Sequence, residues 1–86
     1  MLDYRTHTFL TVCRTGSFTR AAQELHITQP AVSQHVRQLE RHYGQALFAK
    51  AGRGVEPTAA GRLLYRELDA LVNDEHRLRE ELAALQ

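Results

Sequence analysis

The sequence predicts a mainly α-helical domain: three short helices, a two-stranded β-hairpin and one long C-terminal helix. Three observations carry this. Apolar residues recur at helical spacing in four separate stretches. A glycine or a capping hydroxyl punctuates those stretches. Between the third and fourth, Gly52-Arg53-Gly54 sits between two short extended runs, which is turn chemistry rather than helix chemistry.

The first helix is predicted from about Leu2 to Arg14, with Leu2, Thr6, Phe9, Leu10 and Cys13 on one face. Gly16 ends it, as a left-handed C-terminal cap favours. The second runs from about Phe18 to Leu25, with Ser17 or Thr19 as N-cap and Ala21, Ala22 and Leu25 turned inward. His26-Ile27 form a tight connection. Thr28 caps the third helix, and Pro30 sits in its first turn, where the missing N–H costs nothing. This helix continues to His42 or Tyr43, with Val32, Val36, Leu39 and Tyr43 as its inward stripe, and Gly44 stops it. Leu47–Ala51 and Val55–Pro57 make the hairpin about Gly52-Arg53-Gly54, with Pro57 confined to an edge. Thr58 opens the fourth helix, which continues as far as Leu85, a rod of about 42 Å at roughly 1.5 Å per residue. Gly61 lies early in it, at some cost in propensity.

Composition excludes several classes. A chain of 86 residues is one small domain, and 43% apolar with 24% charged residues is ordinary for a globular protein. No stretch is long and apolar enough for a membrane span, and Met1-Leu2-Asp3-Tyr4-Arg5 lacks signal-peptide order. The expected location is the cytoplasm, in association with the nucleoid. Cys13 is the single cysteine, so no internal disulfide forms, and beside Phe9 and Val12 it reads as a core filler. The five histidines, His7, His26, His35, His42 and His76, show no metal-ligand spacing, and His35 and His42 read as surface or phosphate-facing. No Ser/His/Asp arrangement, phosphate loop or dinucleotide fingerprint is present. The chain therefore reads as a non-enzyme with no catalytic residue, no metal and no cofactor.

The net charge of +1 conceals a division. Residues 1–57 carry seven Lys/Arg against four acids, and residues 58–86 carry four against six. A basic head on an acidic tail suits a polyanion-binding unit, 1–57, joined to a partner-binding helix, 58–86.

The third helix shows what the head is for. With its apolar stripe turned in, the opposite face presents Gln29, Ser33 and Arg37 in one row, with Pro30, Gln34 and Arg41 beside it. Gln pairs bidentately with adenine, Arg bridges guanine or holds a phosphate, Ser tolerates close approach, and Ala31 and the Pro30 ring suit a thymine methyl. Thr28 and the free N–H groups of the first turn face the same way. A short helix, a turn and this helix make a helix-turn-helix. The hairpin is then a wing, with Lys50 and Arg53 near its tip for backbone or minor groove. The predicted fold is thus a winged helix-turn-helix, three helices plus a two-stranded wing, followed by a long dimerisation linker helix. Its expected partner is double-stranded DNA.

Residues 16–48 resemble the signature of the LysR-type transcriptional regulators: a GSFT-x-AA-x-x-L helix, then TQPAVS, then LE, then G-x-x-LF. The likeness continues through the wing into Pro57-Thr58-Ala59-Ala60-Gly61 and covers essentially the whole chain. Lys50 stands where the family usually has Arg, and Pro57 where it often has Leu. The resemblance implies promoter binding as dimers or tetramers under control of a small-molecule inducer, with DNA contacts at Gln29, Pro30, Ser33, Gln34 and Arg53. It also implies an inducer-binding domain, which is absent from this chain.

In the fourth helix, Leu64, Leu68, Leu71, Leu78, Leu82 and Leu85 are spaced 4, 3, 7, 4 and 3 apart, a heptad seam with Glu75 in the vacant slot. Leu63 and Val72 lie beside it and are placed on the head. Such a seam calls for a second copy, and the family's antiparallel linker pair agrees. A homodimer, with a tetramer open to a full-length protein, presents two reading helices to an interrupted inverted repeat. Two other readings stay open at this point. One is a protein-interaction module without specific DNA reading. The other is the similar winged domain of a molybdate-responsive regulator.

Overall fold

A computed structural model describes residues 3–86. The expected helix start at Leu2 lies, with Met1, outside the described residues. The order is α1 (Tyr4–Thr15), α2 (Phe18–Leu25), α3 (Gln29–Tyr43), β1 (Phe48–Ala51), β2 (Gly54–Pro57) and α4 (Ala59–Ala83). This is the mainly helical, winged arrangement that the sequence predicts.

Caps set the boundaries. Asp3, Ser17, Thr28 and Thr58 each accept a first-turn N–H, from Arg5, Arg20, Ala31 and Gly61 respectively. Gly16 and Gly44 take φ of 68° and 70° and close α1 and α3. His26 takes φ 57° at the end of α2, an uncommon conformation for a residue with a side chain, and turns the chain sharply into α3.

Two apolar clusters form the interior. Val12, Ala21, Ala22, Val32 and Val36 join α1, α2 and α3, the alanines allowing close helix approach. Phe9, Leu10, Leu39, Leu47 and Leu68 join α1, α3, the wing base and α4. The Phe48 ring links them, 5.4 Å from that of Phe9 and 5.9 Å from that of Phe18.

Several expectations are corrected. Val12, Thr8 and Thr11 are buried on α1, while Cys13 is only half-buried. α1 is flanked by α2, α3 and α4, so more than one of its faces is covered. Tyr43 is 42% exposed, because the last turn of α3 runs past the core. Leu47 is not a strand residue: it is a core residue whose N–H donates to Glu40 Oε2 at 2.8 Å. The hairpin loop is Gly52-Arg53 alone, with Ala51 paired to Gly54. Gly52 supplies the positive φ that a two-residue hairpin loop requires. Gly54 serves another need, since a Cβ there would lie 2.2 Å from the carbonyl oxygen of Gly16. Val55 N donates to that same oxygen at 3.0 Å, pinning β2 to the end of α1.

α4 ends at Ala83 rather than Leu85. Leu68 is corrected from the dimer seam to the head's own interior, at 4% exposure, with Leu64, Tyr65 and Val72 packed around that cluster. Leu63, expected on the head, is exposed. Gly61 is required: a Cβ would stand 2.1 Å from the Leu47 carbonyl oxygen. Leu47 is therefore the joint between wing and rod, its carbonyl also accepting from Thr58 N at 3.0 Å. No helix among the described residues is long and apolar enough to cross a membrane.

Candidate nucleic-acid interface

The interface candidate is built on α3. Val32, Val36 and Leu39 fix which way the helix is rolled. At 100° per residue the direction opposite them is occupied by Pro30, Gln34, Arg37 and Arg41, all exposed. Gln29 is exposed in the first turn, and Thr28 is exposed just before it. Ser33 and Ala31 are half-buried on the two flanks. The row Gln29–Ser33–Arg37 therefore runs along one shoulder of the outward face, and Pro30–Gln34–Arg41 runs along its crest. None of the candidate reading residues named from the sequence belongs to either core cluster.

The first turn is held from within. Thr28 Oγ1 accepts from Ala31 N at 3.2 Å, and Ile27 N donates to Ala22 O at 3.0 Å, tying the turn to α2. Pro30 has no N–H to leave unpaired. The positive end of the α3 dipole thus faces solvent beside Gln29 and Pro30.

The wing carries Lys50 in β1, paired with Val55, and Arg53 in the loop; both side chains are exposed. Charge pairing separates two populations of cations. Among the described residues, Arg20, Arg37, Arg41, Lys50, Arg53 and Arg62 have no carboxylate partner, and Arg62 instead donates to Pro57 O at 3.2 Å. Arg5 pairs with Asp3, Arg14 with Glu24, Arg66 with Glu67, Arg77 with Asp74 and Glu81, and Arg79 with Glu75. α3 and the wing hold cations in want of an anion, while the distal part of α4 neutralises its own. Arg20 was not singled out from sequence, although its place in the first turn of α2 was legible.

Burial pushes the Cys13 thiol up to about 12, against a smaller opposite effect from Arg14, which suits an inert filler. His35 is corrected from a surface reading: it packs against α1, its Nδ1 2.8 Å from Thr8 Oγ1 and its ring edge-on to Tyr4. His42 is exposed, its ring edge-on to Tyr43. No metal-holding group of His, Cys, Asp or Glu occurs among the described residues. Glu40 has a role that sequence reasoning missed. It holds the Leu47 N–H and so orients the wing base; the LE pair of the signature was its only sign.

On α4, Leu71, Leu78 and Leu82 are exposed, as is Leu85 just past its end, and Leu64 is half-buried at the edge of the core. The stripe leads into an open groove of about 540 Å³ whose lining includes Tyr43, Leu47, Ala60, Leu63 and Leu64. Glu75, in the seam, is bonded to Arg79 of its own helix.

Residues 5–62 match a family described as bacterial regulatory helix-turn-helix protein, lysR family. The chain is 54% identical over 69 residues to the HTH-type transcriptional regulator AbaB of Streptomyces antibioticus, a match covering 76% of this chain and 23% of that protein. It spans about a quarter of the length of the first curated relatives it matches. A solved LysR-family transcriptional regulator from Eggerthella lenta is 59% identical with a TM-score of 0.74, over 80% of this chain and 99% of that one. The BenM DBD in complex with benA site 1 DNA is 27% identical with a TM-score of 0.90, over 95% of each chain.

Proposed function

The chain belongs to the lysR family of bacterial helix-turn-helix regulators and is a DNA-binding domain of that type, and on that premise we propose that it reads double-stranded DNA as a homodimer. Residues 1–57 are the reading head. Gln29, Pro30, Ala31, Ser33 and Gln34 enter the major groove, with Thr28 and the first-turn N–H groups against phosphate and Arg37 at base or backbone. Lys50 and Arg53 reach the backbone or minor groove from the wing. The observation that carries this is the set of exposed, unpaired cations on the helix and wing whose polar face is turned away from the core. The likeness to a domain solved on DNA supports it.

Residues 58–86 act as the linker, and the exposed leucines Leu71, Leu78, Leu82 and Leu85, with Leu64, receive a second copy. Four leucines from 48% to 83% exposed on one rod are more apolar surface than a domain this size leaves bare. An antiparallel partner brings its C-terminal leucines to the groove beside Leu63 and Tyr43. The two heads then address an interrupted inverted repeat.

Duplex affinity measured across a salt series by fluorescence anisotropy tests this. Arg37, Arg41, Lys50 and Arg53 on each of two heads give about eight phosphate contacts, and a log–log slope near −7. Arg53→Ala flattens that slope by about one unit per head. Affinity that ignores salt removes the duplex reading.

A further inference from the structure

Alongside the reading turn, α1 and α3 meet through polar groups and leave space between them. A cleft of about 230 Å³ lies there, lined by Tyr4, His7, Thr8, Leu25, Ile27 and His35. At its edge Thr8 Oγ1 makes two short contacts, 3.0 Å to Tyr4 O and 2.8 Å to His35 Nδ1. A hydroxyl has one hydrogen, and a carbonyl oxygen only accepts. Both contacts are satisfied only when Thr8 donates to Tyr4 O and His35 donates from Nδ1 to Thr8. The protonated ring nitrogen is thereby fixed as Nδ1, leaving Nε2 as the acceptor. The ring stands edge-on to Tyr4, with centroids 4.7 Å apart. Burial, and then Arg5, hold the imidazole below its usual range, with Asp3 opposing, which favours the neutral ring. Tyr4 and His7 are the other titratable groups lining the cleft.

We propose that His35 is a positioning residue for base reading, its Nδ1–H bond to Thr8 holding α3 within the small range of roll that its apolar stripe leaves free. Val32, Val36 and Leu39 hold the inner side of this helix against α1 and α2, and the cleft leaves space beside His35 that no side chain fills. His35 lies one residue from Gln34 and one turn from Ala31. A roll of about 10° moves a side-chain tip 5–6 Å from the axis by about 1 Å, enough to break a bidentate bond to a base edge. A phosphate contact, made by a long flexible cation, tolerates the same roll. The tie therefore serves discrimination rather than overall affinity. This rests on the duplex reading above.

Two measurements on the whole chain test it. The ring ¹⁵N shifts of His35 at pH 7.5 should show protonated Nδ1 and bare Nε2; the opposite tautomer overturns the tie whatever the chain binds. The second measurement compares affinity for a duplex enriched by the wild type from a random pool with affinity for a scrambled duplex of equal length. Thr8→Val and His35→Leu should each lower that ratio about fivefold while leaving scrambled-duplex affinity unchanged. His35→Asn, which keeps an N–H in place of Nδ1, should restore the ratio, which a merely structural loss would not allow. Ratios equal to wild type in Thr8→Val and His35→Leu overturn the positioning role. Failure of the wild type to enrich any duplex removes base reading itself, and the positioning role with it, while the ¹⁵N result still decides the tie.

Discussion

Replacing Gly61 by Ala separates local helix propensity from the packing that joins wing to rod. In an exposed helix interior this change stabilises by about 1 kcal/mol, because glycine surrenders more backbone entropy on folding. Here the added Cβ would lie 2.1 Å from Leu47 O and 3.1 Å from Pro57 Cβ, where ordinary contact begins at 3.4 Å. Leu47 cannot retreat freely, being 1% exposed with its N–H on Glu40 and its carbonyl accepting from Thr58. The helix must lift instead, loosening Leu68 in the same cluster. Overpacking of this kind costs about 1–3 kcal/mol, and a strained Thr58–Leu47 hydrogen bond about 1 more. Against a propensity gain of about 1, the net is a loss of about 2 kcal/mol. Urea unfolding followed by circular dichroism at fixed protein concentration should show the midpoint fall by about 1–2 M. A midpoint at or above that of the wild type would refute the claim that Leu47 and Gly61 form a close-packed joint.

Three further outcomes follow from the same structure. Leu78→Glu with Leu82→Glu, at positions 54% and 55% exposed, should leave helical content intact and convert the proposed dimer to monomer in sedimentation equilibrium; a persisting dimer would place the interface elsewhere. The Cys13 thiol, pushed up to about 12 by burial, should resist a disulfide reagent at pH 8 in the native protein and react fully in urea, whereas rapid native reaction would contradict its burial. Thr28→Ala removes the oxygen that accepts from Ala31 N and should lower stability by about 1 kcal/mol. It should also weaken duplex binding, because the first turn of α3 frays; unchanged binding would detach that turn from the interface.

Much of this fold is legible in the chain because its signals are local. Thr28, Gly16 and Gly44 mark helix ends through chemistry confined to one turn, and Val32, Val36 and Leu39 mark a face through spacing alone. The proposed reading residues emerge as what that face leaves outside. The errors share a physical cause: periodicity says which side of a helix is apolar, not what lies against it. Leu68 fits the heptad seam as well as Leu71 does, yet one is buried in the head and the other is exposed, because Leu71 is turned away from the head while Val72, one residue on, still packs against it. Tyr43 continues the stripe of α3 past the end of the interior. Gly54 and Gly61 read as turn and propensity residues, while the backbone carbonyls that require them come from Gly16 and Leu47, distant in sequence. Thr8 and His35, 27 positions apart, give no sequence sign of meeting.

Selection of bound duplexes from a random pool, run in parallel with wild type and Gln29→Ala, probes the reading face most directly. The wild type should enrich two inverted half-sites at a set spacing, and Gln29→Ala should relax preference at one base pair in each half-site while keeping that spacing. Enrichment of no common sequence, or identical sequences from both proteins, would mean that the outward face of α3 does not read bases.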